Sequence, residues 1–245
     1  MALGGGSAPP GRPQFPCRIC VVCGTEQEPG TSSVIWYSDT SVSLATCKTC
    51  WEHLDPFVEL EFQLIALDLM LHRVMAFRHV LCNRTYNLSI WMRFAIVINV
   101  IEVLAHFWVA RRDPTFEEIF YDLAETTVIF GLSMLCFCSS VSLMSRENNT
   151  WEHWSTRMRA FILSRFPSLL FVIAMAWWFP GDFYPVIALY SFSTSVAAAR
   201  ALPEVDTIWM AIFVAVCGAV PRLARLAESE SFLNALKTVR EWPLK

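Results

Sequence analysis

Apolar residues are sparse before position 56 and dense after it. The first 16 residues, MALGGGSAPPGRPQFP, are rich in Gly, Pro and Ser and hold no apolar run. That composition predicts a disordered leader and not a signal peptide. Residues 17–55 are polar and turn-rich. Within them VIWY (34–37) and VSLAT (42–46) are short β-prone runs, and the SDTS between them is a turn signal. The pattern predicts a small two-stranded hairpin.

The pattern changes at Asp55-Pro56. Proline suits the first turn of a helix. Residues 57–83 contain no Gly or Pro, which predicts one long amphipathic helix ending near Asn83. Apolar runs then follow at 87–110, 119–144 and 160–179, the third interrupted by Arg165 and Pro167. A bilayer crossing needs ~20 such residues. A fourth run, 183–199, is shorter, and 207–220 is short enough to be re-entrant or interfacial. The tail from 222 to 245 is an amphipathic basic stretch. Residues 84–221 therefore read as a transmembrane region of about four spans, or five.

Composition agrees. The hydrophobic fraction is 55% and the charged fraction 17%, against ~45–50% and ~25% in soluble domains. A net charge of −3 without a long basic run argues against nucleic-acid binding. Lys and Arg favour the cytoplasmic side of a membrane. The Pro180–Asp182 link has neither, whereas the 145–159 loop has Arg146, Arg157 and Arg159. Counting back from that loop puts residues 17–55 in the cytoplasm; Arg111 and Arg112 run against this count. The sequons at Asn83, Asn87 and Asn148 would then be cytoplasmic and unused.

Nine cysteines sharpen the picture. Cys136, Cys138 and Cys217 lie in apolar runs and behave as small apolar residues. Cys20-x-x-Cys23-Gly24 and Cys47-x-x-Cys50 form two knuckles flanking the predicted hairpin. Zinc takes four ligands in a tetrahedron and holds thiolates well. Four protein ligands leave no open position, so the zinc would be structural. So small a domain lacks a sufficient core, and metal would supply its folding energy. Cys17-x-x-Cys20 is a second legal pair; Gly24 favours Cys20 with Cys23. The expected architecture is an α-helical multispan membrane protein with a small N-terminal zinc ribbon at 17–55, a β-hairpin whose metal is held by four cysteines.

Other polar residues stand out against the apolar background. On a single helix, Glu61, Asp68, His72 and His79 would fall within about 20° of one line. Such a stripe is either a polar edge of a packed helix or a contact for a lipid headgroup or partner. Glu102 and His106 are four apart in the first span, and ionisable groups there are functional candidates. Asp122 and Glu125 sit near the end of the second span, within reach of the interface. No Ser-His-Asp order, Gly-rich phosphate loop or HExxH occurs, so no catalytic residue is assigned.

Cys20-x-x-Cys23-Gly24, then Cys47-Lys48-Thr49-Cys50, then DPFVELE (55–61), then AFRHVLCN (76–83) resembles the Arv family. The resemblance covers residues 17–83; the later spans fit in number and character. It implies an endoplasmic-reticulum membrane protein of lipid homeostasis, acting in intracellular sterol distribution, with effects on sphingolipids and glycosylphosphatidylinositol (GPI) anchors. It implies zinc ligands Cys20, Cys23, Cys47 and Cys50, and a helix signature of Asp55, Glu59, Arg78, His79 and Asn83. Phe77 stands where the family often has Tyr, and the linker holding EPGTSS is long. The partners expected are membrane lipids, including sterols, and GPI-biosynthetic or other membrane proteins. Two rival readings are a scaffold for a larger enzyme complex and an intramembrane transferase using Glu102, His106 or His79.

Overall fold

The computed structural model describes residues 17–37, 41–84, 86–110, 115–144, 151–177, 184–205 and 207–228. The predicted hairpin is present. Strand β1 (Val34–Trp36) pairs antiparallel with β2 (Val42–Leu44), with Ile35 opposite Ser43. Each C-x-x-C knuckle is closed by its own isolated bridge, Ile19 with Glu26 and Thr46 with His53. Gly24 (φ 79°) and Trp51 (φ 64°) occupy equivalent positions after Cys23 and Cys50. Their N–H groups donate to Cys20 O (2.8 Å) and Cys47 O (3.0 Å). That left-handed conformation suits Gly and strains a bulky residue. The ribbon's own apolar cluster is small, Cys17, Cys20, Ala45, Cys47 and Leu54, while its Ile19 and Val21 join the core of the helices.

Residues 56–83 do not form the single helix expected from their composition. A 3-10 turn at Pro56–Glu59 leads into α1 (Phe62–Met70). The chain turns at His72 (φ 56°) and continues as α2 (Val74–Arg78) and one π turn (His79–Asn83). It thereby folds back on itself, and the Phe57 and His79 rings lie 5.6 Å apart. The cause is tertiary. An unbroken helix would use Met70 O for the N–H of Val74; here the Tyr190 hydroxyl donates to that carbonyl. His72 Nε2 bonds Thr194 Oγ1 (2.8 Å) and Ser193 Oγ (3.1 Å), and its ring meets Tyr190 edge-on.

The expected stripe is dismantled with the helix. Glu61 is exposed at the start of α1, Asp68 pairs with Arg73 (3.3 Å), His72 is held by residues 190–194, and His79 is buried.

The rest is helical: α3 (Leu88–Ala110), α4 (Phe116–Met144), α5 (Trp151–Ser164), α6 (Leu170–Ala176), α7 (Tyr184–Ala201) and α8 (Ile208–Glu228). A 3-10 turn at Phe166–Leu169, carrying Pro167, joins α5 to α6. Among the described residues, three stretches are long and apolar enough to cross a membrane: Leu88–Ala105, Phe116–Met144 and Trp151–Ala176. The third begins nine residues before the expected start at Ala160, so the second half of the expected 145–159 loop is helical. Val186–Ala201 and Ile208–Val220 are shorter apolar helices. Helix α8 runs past residue 222, where a separate tail was expected. The core gathers Phe77, Leu81, Ile98, Phe137, Ile162, Leu202 and Val214. A methyl at Gly218 would stand 3.3 Å from Phe137, so α8 and α4 meet closely there. Outside, Ile96, Val128, Leu189 and Trp209 are exposed. So much exposed apolar surface marks a membrane protein. Arg111, Arg112, Asn148 and Pro180–Asp182 lie outside the described residues.

Candidate metal centre and its seat

The hairpin and the two bridges bring the knuckles together. The ligand atoms of Cys20, Cys23, Cys47 and Cys50 all lie within 4.8 Å of one another. Cys20 Sγ is 3.7 Å from Cys50 Sγ, and Cys23 Sγ is 3.8 Å from Cys47 Sγ. A tetrahedron with ~2.3 Å Zn–S bonds has sulfurs ~3.8 Å apart. A disulfide would need ~2.05 Å. The donor set and its spacing therefore fit one zinc ion.

Burial raises the Cys47 thiol, but backbone N–H groups of Cys50 and Thr49 and hydrogen bonds from Cys23 and Cys50 outweigh it. The net result is about 6, and the Thr49 N–H lies 3.4 Å from Cys47 Sγ. Cys17 stands apart from this cluster. Burial, with the charge of Asp55 and then Cys47, pushes its thiol up to about 12, and its Sγ donates to Ile19 O (3.2 Å). The sulfurs that gather are thus those of Cys20 and Cys23 with Cys47 and Cys50, and not that of Cys17.

The residues that close the hairpin form the seat of this centre. Asp55 is fully buried, and its carboxylate accepts from Phe57 N (3.2 Å), His79 Nδ1 (2.7 Å) and Asn83 Nδ2 (2.7 Å). His79 Nε2 in turn accepts from Arg84 Nε (3.2 Å), which fixes the ring's proton on Nδ1. Asn83 Oδ1 accepts from Arg18 N (3.0 Å) and Ile19 N (3.2 Å), while its amide also donates to Ile19 O (3.1 Å). Arg78 donates to Val21 O (3.0 Å) and Val22 O (2.8 Å), the carbonyls inside the first knuckle. Its guanidinium also presses on Gly24, where a Cβ would meet Nη2 at 3.0 Å. Four residues of the expected helix signature, Asp55, Arg78, His79 and Asn83, thus join ribbon to bundle.

The remaining predicted residues are dispersed. Glu102 meets Arg165 Nη2 (2.8 Å) and Ser168 Oγ (2.8 Å) where α5 gives way to α6. His106 lies in α3, with its side chain outside the described ones. Asp122 and Glu125 are partly buried in α4. One network was not foreseen. Arg157, fully buried, donates to Ser142 Oγ (2.7 Å) and to Glu204 Oε1 (3.0 Å), which also bonds His153 (3.2 Å). The signal was present: Glu204 and Asp206 are acids in the short link between apolar helices, and a buried Arg needs such a partner.

A family profile described as the Arv1-like family matches residues 19–199. The Dictyostelium discoideum protein arv1 homolog is 25% identical over 231 residues, covering 84% of this chain and 92% of the relative. Schizosaccharomyces pombe protein arv1 is 28% identical over 177 residues, 64% of each. Protein ARV 2 of Arabidopsis thaliana is 39% identical over 66 residues, 27% of this chain and 28% of the relative. No solved structure matches.

Proposed function

Because the chain belongs to the Arv1-like family, we propose that it is a non-catalytic protein of the endoplasmic-reticulum membrane that supports sterol distribution between membranes. Sphingolipid and GPI-anchor metabolism would respond to it, and its zinc ribbon would face the cytoplasm. The observation that carries the non-catalytic reading is the fate of the chemistry-bearing residues. Asp55 and His79 are 0% and 1% exposed and bind each other, so a substrate has no route to either. Four sulfurs fill a zinc tetrahedron and leave no position for substrate. What the ribbon does instead is fix the position of the hairpin 56–83 against α7. The test is complementation of an Arv-deficient cell, with sterol movement out of the endoplasmic reticulum as readout. Wild-type protein restores it and Cys47→Ser does not. Turnover of a lipid substrate by the purified protein would replace this reading with the transferase.

A second reading is a scaffold that stabilises a GPI-biosynthetic or other membrane enzyme complex. Trp51 favours it: this large side chain is 81% exposed on the ribbon in a strained left-handed conformation. Co-purification of a stoichiometric protein partner that Trp51→Gly abolishes would support the scaffold.

A further inference from the structure

Arg157 and Arg159 lie two residues apart on α5, yet their surroundings differ. Arg157 has Glu204 as its counter-ion. Among the described residues, no carboxylate lies within ion-pair distance of Arg159. Its guanidinium donates to Ser155 O (3.2 Å) and Thr156 Oγ1 (3.0 Å), both one turn back on its own helix. Arg159 lines an open cleft of about 400 Å³ between the ribbon, the start of α3 and the start of α5. The ribbon contributes Arg18 to it, and the segment before α3 contributes Tyr86 and Asn87. Glu152 on the rim binds Arg18 (2.8 Å) in an exposed ion pair.

The membrane setting gives this cleft a depth. The stretch Trp151–Ala176 has 26 residues. Even with the 3-10 turn at Phe166–Leu169 inside it, it exceeds the ~20 residues that a crossing needs. Its first turns therefore stand at headgroup level, where aromatic residues such as Trp151 and Tyr86 collect. Arg159, two turns further in, reaches the hydrocarbon edge. A half-buried cation there needs an anion. Guanidinium groups bind phosphate oxygens in a bidentate fork.

We propose that this cleft binds the phosphate of an anionic lipid headgroup, held by Arg159 from the bundle and Arg18 from the ribbon. The site lies outside the sulfur cluster, and Arg18 touches its seat only through its backbone N–H. The proposal needs only the membrane setting and does not depend on the sterol reading. Because one arginine comes from each part, the headgroup would bridge ribbon and bundle. Glu152 would oppose it, and would release Arg18 when the phosphate enters.

The test uses full-length protein in mild detergent, titrated separately with short-chain phosphatidic acid, short-chain phosphatidylcholine and inorganic phosphate. Phosphatidic acid is expected to bind most tightly. Arg159→Gln should weaken it roughly tenfold, the loss of one charged hydrogen-bond pair. Arg18→Gln should weaken it less, and Glu152→Gln should tighten it by removing the competing carboxylate. The last sign separates a phosphate site from a merely structural cluster, since a structural loss would weaken binding. Should Arg159→Gln fail to fold, Arg18→Gln and Glu152→Gln decide the matter between them. Equal affinity for inorganic phosphate would make this a soluble-anion site and overturn the lipid assignment. Phosphatidic-acid binding unchanged in Arg159→Gln and Glu152→Gln would remove the site altogether.

Discussion

The ribbon and the bundle are held together by opposite means. The bundle buries large side chains from many helices, among them Phe77, Phe137, Ile162 and Val214. The ribbon buries only five residues in its own cluster, and three of them are cysteines. Remove the sulfur centre and, apart from Cys17, residues 17–55 keep only Ile19, Val21, Val34, Ala45 and Leu54 as buried apolar side chains to offset chain entropy. The bundle has no such single point of failure. Between them lies a polar joint, Asp55 with His79 and Asn83, whose hydrogen bonds are fully satisfied and sealed from water. A joint of this kind is directional where apolar packing is not, so it fixes one orientation of ribbon on bundle.

Stripping the metal should break the comparison most sharply. Structural zinc contributes about 10–16 kcal/mol in comparable peptides. A chelator, or Cys47→Ser, should abolish amide protection across 17–55 while α3 to α8 keep theirs, as read by hydrogen exchange of the full chain. Cys17→Ser should keep the metal, measured by zinc content. Loss of protection in both regions would show that the bundle depends on the ribbon.

Next in size is Arg157→Ala, which attacks the bundle alone. It leaves the largely buried Glu204, beside Val205 and Leu202, with only His153 of these two partners. Breaking one side of a buried pair removes about 3–5 kcal/mol. The thermal midpoint should fall while zinc content stays. Unchanged melting would mean that Glu204 takes up a proton or a new partner.

Asp55→Asn addresses the joint. The shape is kept, but His79 Nδ1–H and the Asn83 amide face a weaker, half-donor partner. About 2 kcal/mol should be lost. The ribbon should remain zinc-loaded yet undock, exposing the Asp55–Phe57 link to protease. A protease pattern identical to wild type would show that Arg78 suffices as the joint.

The smallest effects compare the two knuckles. Gly24→Ala should destabilise the ribbon by about 1–2 kcal/mol, since φ is 79° and the new methyl meets Arg78. Trp51→Gly should do the reverse and raise ribbon stability by about 1 kcal/mol, because the same left-handed position now holds a residue that tolerates it. Both are read from the zinc-dependent melting of the ribbon. Opposite signs would establish that the knuckles are equivalent; equal signs would not.

Much of this was legible in the sequence because its causes are local. C-x-x-C spacing places two sulfurs on one turn whatever surrounds it. Alternating β-prone runs about a turn signal give a hairpin, and unbroken apolar runs give long helices. The residues 34–36 and 42–44, the four sulfurs and the helices α3 and α4 all follow from neighbours within a few positions. The fate of 56–83 was not legible. Nothing in its own residues stops a helix at His72; Tyr190, Ser193 and Thr194, more than a hundred positions away, do so by taking Met70 O and the imidazole. Asp55 likewise reads as a residue before the helix, and His79 and Asn83 as helix residues, until folding closes them over Ile19. Arg157 finds Glu204 only when α5 and α7 pack. Spacing along the chain determines which groups are available, whereas partners for buried polar groups are chosen by whatever the tertiary fold brings within about 3 Å, because a polar group shut from water must bind what it meets.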